Sequence, residues 1–136
     1  IMEITYSETR EIDERQIVAL YLANKWTAAN KPKQLRKALL NSHALISAWE
    51  GKKLIGIGNA ISDGYLVVYY PHLLVHPNYQ KRGVGQNIIA KLKKNYEDFH
   101  MHMLTADAKS VGFYEKSGFK LAGDTRAMWI YQGDEH

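Results

Sequence analysis

Apolar residues recur every three or four positions at Val84, Ile88, Ile89, Leu92 and Tyr96, a spacing that predicts a helix with one buried stripe. IDERQIVALYL near the start reads as a second helix. There Asp13 is placed to cap, Gln16 stands at the capping-box position and Ile12 can staple onto Ile17. Pro32 opens a third, PKQLRKALL. From His43 the period falls to two: HALISAWE and LIGIGNAIS read as strands joined at EGKK, with another turn at Asp63–Gly64. YLVVYYPHLLV is apolar almost throughout, as for a strand inside a sheet. Pro71 in its middle cannot donate to a ladder and predicts a bulge or an unpaired position. FHMHMLTAD alternates as a strand, Asp107 can cap the short helix AKSVGFYEKS, and Gly118 can end it. FKLAG and TRAMWIYQ read as closing strands. With MEITYS as the opening strand, the order is β-α-α-β-β-β-α-β-α-β-β. That is one α/β domain over residues 1–136 with a mixed sheet, and no repeat or linker interrupts it.

Composition narrows the classes. The 136 residues suffice for one domain with a sizeable core, and no apolar run approaches the roughly 18 residues of a membrane span. IMEITYSETREID lacks a basic region followed by an apolar block, so it does not read as a signal peptide. There are no cysteines, which removes disulfides, thiolate catalysis and iron–sulfur ligation and fits a cytoplasmic location. Lys and Arg outnumber Asp and Glu by 18 to 14, a mild bias toward anionic ligands. The positive charge is scattered without a recognition signature, so nucleic acid is not the expected partner, nor is a membrane.

The chemistry concentrates in YQKRGVGQN. Gly83 and Gly85, opening a helix after a strand, leave unpaired amides directed into one concave space, with the helix dipole adding the same sign. Lys81 and Arg82 add positive charge beside them, and Gln80 can bind the same ligand or tie the loop down. The turn suits a phosphate or diphosphate. It fits neither GxxxxGK followed by Ser or Thr nor GxGxxG, because the sixth residue from Gly83 is Ile88. GIGNAI from Gly56 fails in the same way and reads as a close backbone approach or a bulge. A metal centre is not expected: on a regular strand His72 and His76 would stand about 13 Å apart, and His100 and His102 lack an accompanying carboxylate motif.

QKRGVG, Gln80 to Gly85, resembles the Gln/Arg-x-x-Gly-x-Gly/Ala signature of the GCN5-related N-acetyltransferase superfamily. LLVHPNY before it is similar to that family's fourth strand and the turn leaving it, and SVGFYEKSGF is similar to its Ala-x-x-x-Tyr-Glu-Lys-x-Gly-Phe segment. The resemblance covers essentially the whole chain and is strongest from Leu66 to Phe119. It implies a mixed, mostly antiparallel sheet flanked by helices and splayed between strands 4 and 5. It implies acetyl-CoA as cofactor, its diphosphate on the amides of Gln80, Lys81, Arg82, Gly83, Val84 and Gly85, with Gln86 following. The pantetheine arm would run between the strands at Leu73–Val75 and Met101–Leu104, with an amide near Leu74 or Val75 facing the thioester oxygen. Tyr114 matches the tyrosine that hydrogen-bonds the coenzyme sulfur. Two positions depart: Asp107 and Ser110 stand where the family often has Asn and Ala, and Asp107 would set a negative charge near a polyanionic cofactor unless it caps the helix.

The implied reaction is direct acetyl transfer to a primary amine in a ternary complex. An alkyl ammonium titrates near pKa 10, so a proton must be removed before attack. His72, just before the expected amide site, is the candidate base, and Tyr70 would share its face by period two. Asp63 and Glu50 are further candidates to orient an amine or relay a proton, and His76 is expected to be structural. Tyr114, as a phenol, can donate to the departing sulfur. Tyr21, Trp26, Tyr65, Tyr69, Tyr70 and Trp129 offer aromatic walls, with few carboxylates among them. A small-molecule amine or amino acid is the expected acceptor. A protein lysine or N-terminus is the second reading, and a catalytically silent acyl-CoA-binding module the third. A homodimer through the C-terminal strands is compatible with the resemblance.

Overall fold

The computed structural model describes residues 3–133. Six strands and four helices follow in the order β1 (Thr5–Ser7), α1 (Glu14–Ala23), α2 (Pro32–Leu40), β2 (Ala44–Glu50), β3 (Lys53–Ser62), β4 (Val67–Tyr69), β5 (Leu73–Val75), α3 (Val84–Lys93), β6 (Met101–Met103) and α4 (Val111–Glu115). The sheet runs β1-β2-β3-β4-β6, with β5 also on β3. Every pairing is antiparallel except β4 with β6.

Helices cover both faces of the sheet. Ile17, Leu20 and Tyr21 of α1 and Leu35 and Leu39 of α2 bury against Leu45, Leu54, Ile57 and Leu74. The stripe of α3, Val84, Ile88, Ile89 and Leu92, continued by Tyr96, buries against Ile46, Ala48, Ile55, Val68 and Tyr70. Gly58 shows how close this second layer lies: a Cβ there would meet Ile88 at 2.6 Å and Leu92 at 3.0 Å. The glycine of LIGIGNAIS is therefore a close backbone approach.

Asp13 caps α1 by accepting from the Arg15 amide at 3.1 Å. Gln16 does not close a capping box. Its amide donates to the Lys52 carbonyl at 2.7 Å and its oxygen accepts from Leu54 N–H at 3.0 Å, so it fastens α1 to the β2–β3 turn.

The long apolar stretch is two strands. Ile61 opposes Tyr69, but Gly58 opposes Leu73, so Asn59 and Ala60 of β3 face three residues of the other segment, Tyr70, Pro71 and His72. One extra residue lies in the Tyr70–His72 interval, at the proline, as a bulge. The insertion flips the face: Tyr70 packs in the α3 layer, while His72 contacts Tyr21 in the α1 layer. The period-two expectation that they share a face fails for this reason.

The expected closing strands are absent. After α4, residues 120–131 pair with no strand, and Leu121, Met128, Trp129 and Ile130 are exposed. Alternation supplies a face to bury, but here no neighbouring ladder takes up the backbone.

Candidate active site

The bulge opens the sheet. Tyr70 still donates its amide to the Met103 carbonyl at 3.0 Å, but beyond Pro71 β5 pairs with β3 alone. A wedge therefore separates β5 from the segment after β6. Backbone direction decides which groups face it. The His72 carbonyl accepts from Asn59 N–H at 3.1 Å and His76 N–H donates to Ile55 at 2.8 Å, both toward β3. By antiparallel alternation Leu74 points the same way, whereas Leu73 and Val75 turn their amides to the wedge. Of the two amide positions expected, Val75 is directed to the wedge and Leu74 toward β3; Leu74 also contributes a buried side chain.

Below Val75 the chain makes the glycine turn. Gly83 caps α3 with φ +82°, and an added Cβ would meet nothing within 4 Å, so the approach to the first-turn amides of Val84, Gly85 and Gln86 is open on that side. Lys81 also has positive φ, at 64°, which curls the loop around the helix start. The other side chains of the turn pack against their surroundings. Gln80 donates to the Val75 carbonyl at 2.9 Å and to Asn24 at 3.4 Å. Val84 is buried in the α3 layer. Gly85 leaves room for Phe113, whose ring would lie 3.0 Å from a Cβ. Gln86 accepts from the Ser117 hydroxyl at 2.6 Å and donates to the Phe113 carbonyl at 3.3 Å, fastening α4 to α3. Arg82 sits over the Tyr79 ring at 5.9 Å.

At the wedge lies a cavity of 440 Å³ lined by Leu73, Thr105, Asp107, Ser110 and Tyr114 together with Trp26, Tyr70 and Trp129. Tyr114 is half-buried, with its ring edge-on to Phe113 and Phe119. Burial, reinforced by the charge of Asp107, pushes its phenol up to about 12. It stays protonated as a donor across neutral and moderately alkaline pH. Asp107 is exposed, and its side chain makes no cap bond to the helical turn that follows, contrary to the expected capping. Asp107 is among the residues that line the cavity.

His72 stands one layer back. Its Nδ1 is 2.7 Å from the buried Tyr21 hydroxyl, and its ring lies 5.2 Å from that of Trp26, which forms the cavity wall. Tyr21 is held protonated by burial, which raises its phenol far above the usual range. His72 can take a proton at Nε2 only in the tautomer whose Nδ1–H donates to Tyr21. The sequence supplied no signal for this Tyr21 partnership.

Several candidates lie elsewhere. Asp63 accepts the amides of Tyr65, Leu66 and Val67 at 2.8, 2.8 and 3.3 Å, bonds that hold its carboxyl below the usual range. Glu50 accepts from the Tyr79 hydroxyl at 2.5 Å. His76 accepts from Asn78 N–H at 3.1 Å and so caps a turn. Tyr65 is 89% exposed and far from enclosing anything, and Tyr69 lies on the open sheet face. Trp26 both packs on the α1 layer and walls the cavity. Among the described residues no group of three or more His, Asp or Glu is placed to hold a metal ion.

Comparison with known proteins agrees with this geometry. A family model described as an acetyltransferase (GNAT) domain matches residues 6–128. An uncharacterized N-acetyltransferase, ycf52, of Gracilaria tenuistipitata var. liui is 33% identical over 93 residues, 64% of this chain and 51% of that protein. Histone acetyltransferase TAP1 of Glycine max is 31% identical over 133 residues, 88% of this chain and 57% of that protein. The chain thus spans a little over half the length of these relatives. Among solved structures, a GNAT family acetyltransferase from Streptococcus pneumoniae TIGR4 superposes with a TM-score of 0.83 at 27% identity, covering 96% of this chain and 99% of that one. Glucosamine-6-phosphate N-acetyltransferase from Arabidopsis thaliana shares the fold at a TM-score of 0.72 and 11% identity, covering 96% of this chain and 99% of that one.

Proposed function

Because the chain belongs to the GNAT acetyltransferase family, we propose that it binds acetyl-CoA and acetylates a primary amine of a small molecule or amino acid in one ternary complex. The observation that carries this reading is the wedge at Pro71. It leaves the amides of Leu73 and Val75 directed away from β3, beside a cavity that Leu73 and Tyr114 line with two tryptophans.

The residues fit the cofactor. The open first turn of α3 behind Gly83 would hold the diphosphate, with Lys81 and Arg82 beside it. Leu73 and Val75 would bond the pantetheine arm as a neighbouring strand would. Bound there, acetyl-CoA supplies an activated acyl group. The Val75 amide is directed to where negative charge develops on a carbonyl oxygen. Tyr114, kept protonated by burial, donates a hydrogen bond or proton to the sulfur as it leaves. Trp26, Tyr70 and Trp129 would exclude water from the acceptor and orient it. His72, positioned by Tyr21 behind Trp26, would draw off the ammonium proton through water.

A protein lysine is the competing acceptor, in view of the histone named for one relative. A cavity of 440 Å³ with Trp129 on its wall favours a small acceptor. The test is calorimetric binding of acetyl-CoA, followed by thiol release with a panel of amines, amino acids and lysine peptides. Micromolar binding with release for a small amine is the expected result. Release only with peptides would overturn the acceptor reading, and no binding would overturn the cofactor reading.

A further inference from the structure

Among the described residues lining the cavity, Asp107 carries the one formal charge. The other lining residues are uncharged, and Trp26, Tyr70, Tyr114 and Trp129 among them are aromatic. The side chain has not been drawn into capping the turn that follows, although Asp at that position commonly is. It is exposed, and its charge helps raise the phenol of Tyr114, which lines the same space. A lone carboxylate in a cavity lined by indoles and phenols is the chemistry of an ammonium site: the anion fixes the charge and the aromatic faces attract the cation. The same carboxylate repels a second anion.

We propose that Asp107, with Trp26 and Trp129, makes this site select a cationic amine without an adjacent carboxylate over an α-amino acid. The inference rests on the acyl-transfer reading above and narrows it. It also moves Asp107 from the cofactor's side of the wedge to the acceptor's side. An amine held against Asp107 presents its nitrogen between the Trp walls and Tyr114. An α-amino acid in the same pose sets its own carboxylate against Asp107 in a partly desolvated pocket, where like charges are costly.

The test uses a matched pair of probes, phenylethylamine and phenylalanine, which differ by one carboxylate. Their binding is measured by calorimetry on the full chain, with and without saturating CoA, and their acetylation by thiol release. The amine should bind at least about tenfold more tightly than the amino acid, a difference of about 1.4 kcal/mol. Asp107→Asn should bring the two to within about threefold by weakening the amine, and should leave acetyl-CoA affinity within about threefold of wild type. Glu97→Gln, an exposed acid outside the cavity, removes the same net charge and should leave the tenfold preference intact. Equal binding of the two probes, binding of neither, or a preference that survives Asp107→Asn would overturn the inference while leaving acetyl-CoA binding to stand. Failure to bind acetyl-CoA would instead sink the acyl-transfer reading. The amine preference measured without CoA would still decide the role of Asp107. Loss of acetyl-CoA affinity in Asp107→Asn would return that residue to the cofactor.

Discussion

The chain up to Tyr96 and the chain after it are built differently. Every buried residue among those described lies at or before Tyr96, and none lies between Glu97 and Gly133. The first part holds two packed layers on a sheet and carries the glycine turn and the wedge. The second carries Asp107, Ser110, Tyr114 and Trp129 on short turns, a five-residue helix and unpaired chain. The ties between the parts include the β4–β6 ladder and the side-chain bonds of Gln86 to Phe113 and Ser117, Lys93 to the Ser117 carbonyl, and Tyr70 to His102 at 2.8 Å. Binding geometry sits on the rigid part and acid chemistry on the part with least burial to resist opening. Segments of that kind are where local opening is cheapest.

The largest expected effect breaks the frame. Leu92→Ala empties a fully buried site in the α3 layer and should cost about 2–5 kcal/mol in denaturant unfolding. Ile130→Ala, at a position 94% exposed, should stay within about 0.5 kcal/mol. Equal losses at the two positions would show that the division at Tyr96 is not energetic. Gly83→Val separates binding from folding. A β-branched residue at φ +82° is strained by about 1–2 kcal/mol, and its side chain would occupy the open approach. Calorimetry should show acetyl-CoA binding lost from a protein that remains folded. Tyr114→Phe reads the other part: turnover should fall about tenfold or more with little change in acetyl-CoA affinity. Unchanged turnover would remove the donor role.

The smallest effect is on pH dependence at the seam. Burial lowers the pKa of His102, and the nearby Lys93 charge adds to this. A histidine with a lowered folded pKa resists protonation, so its penalty is absent above the unfolded value near 6.5 and grows as pH falls below it. Stability should decline below about pH 6.5, and His102→Gln should flatten that slope in thermal melts.

Legibility divided along a different line, between local stereochemistry and tertiary context. The stripe of α3, the Asp13 cap, the close approach at the β3 glycines and the presence of an irregularity at Pro71 were readable because each depends on local periodicity or local stereochemistry. The consequence of that irregularity was not. A one-residue slip exchanges faces, so Tyr70 and His72 part company, and no pattern in YYPHLL says on which side of the proline the slip falls. Gln16 and Asp107 carry local capping signals, yet Gln16 bonds across to a turn and Asp107 leaves its cap unmade, because tertiary neighbours outbid or fail to assist a local bond. TRAMWIYQ has the composition of a strand without a ladder to join, and composition cannot report a missing neighbour. Within the site, the resemblance reached the turn and Tyr114. It assigned the turn's backbone to the ligand; the Gln80 side chain ties the loop down, one of the two roles open to it, and the Gln86 side chain braces α4.

The residue added between Tyr69 and Leu73 can be read as a change of phase. A sheet in register is a closed account of valences: each amide meets a carbonyl from the next strand, and nothing is left over. Advancing one strand by a single residue, with a proline at the joint, desynchronises β5 from β6 and leaves a strand's worth of donors and acceptors addressed to whatever lies in the gap. Removing that one residue would bring the two back into step and close the gap, so the vacancy on which binding depends is written in the chain as an insertion of length one.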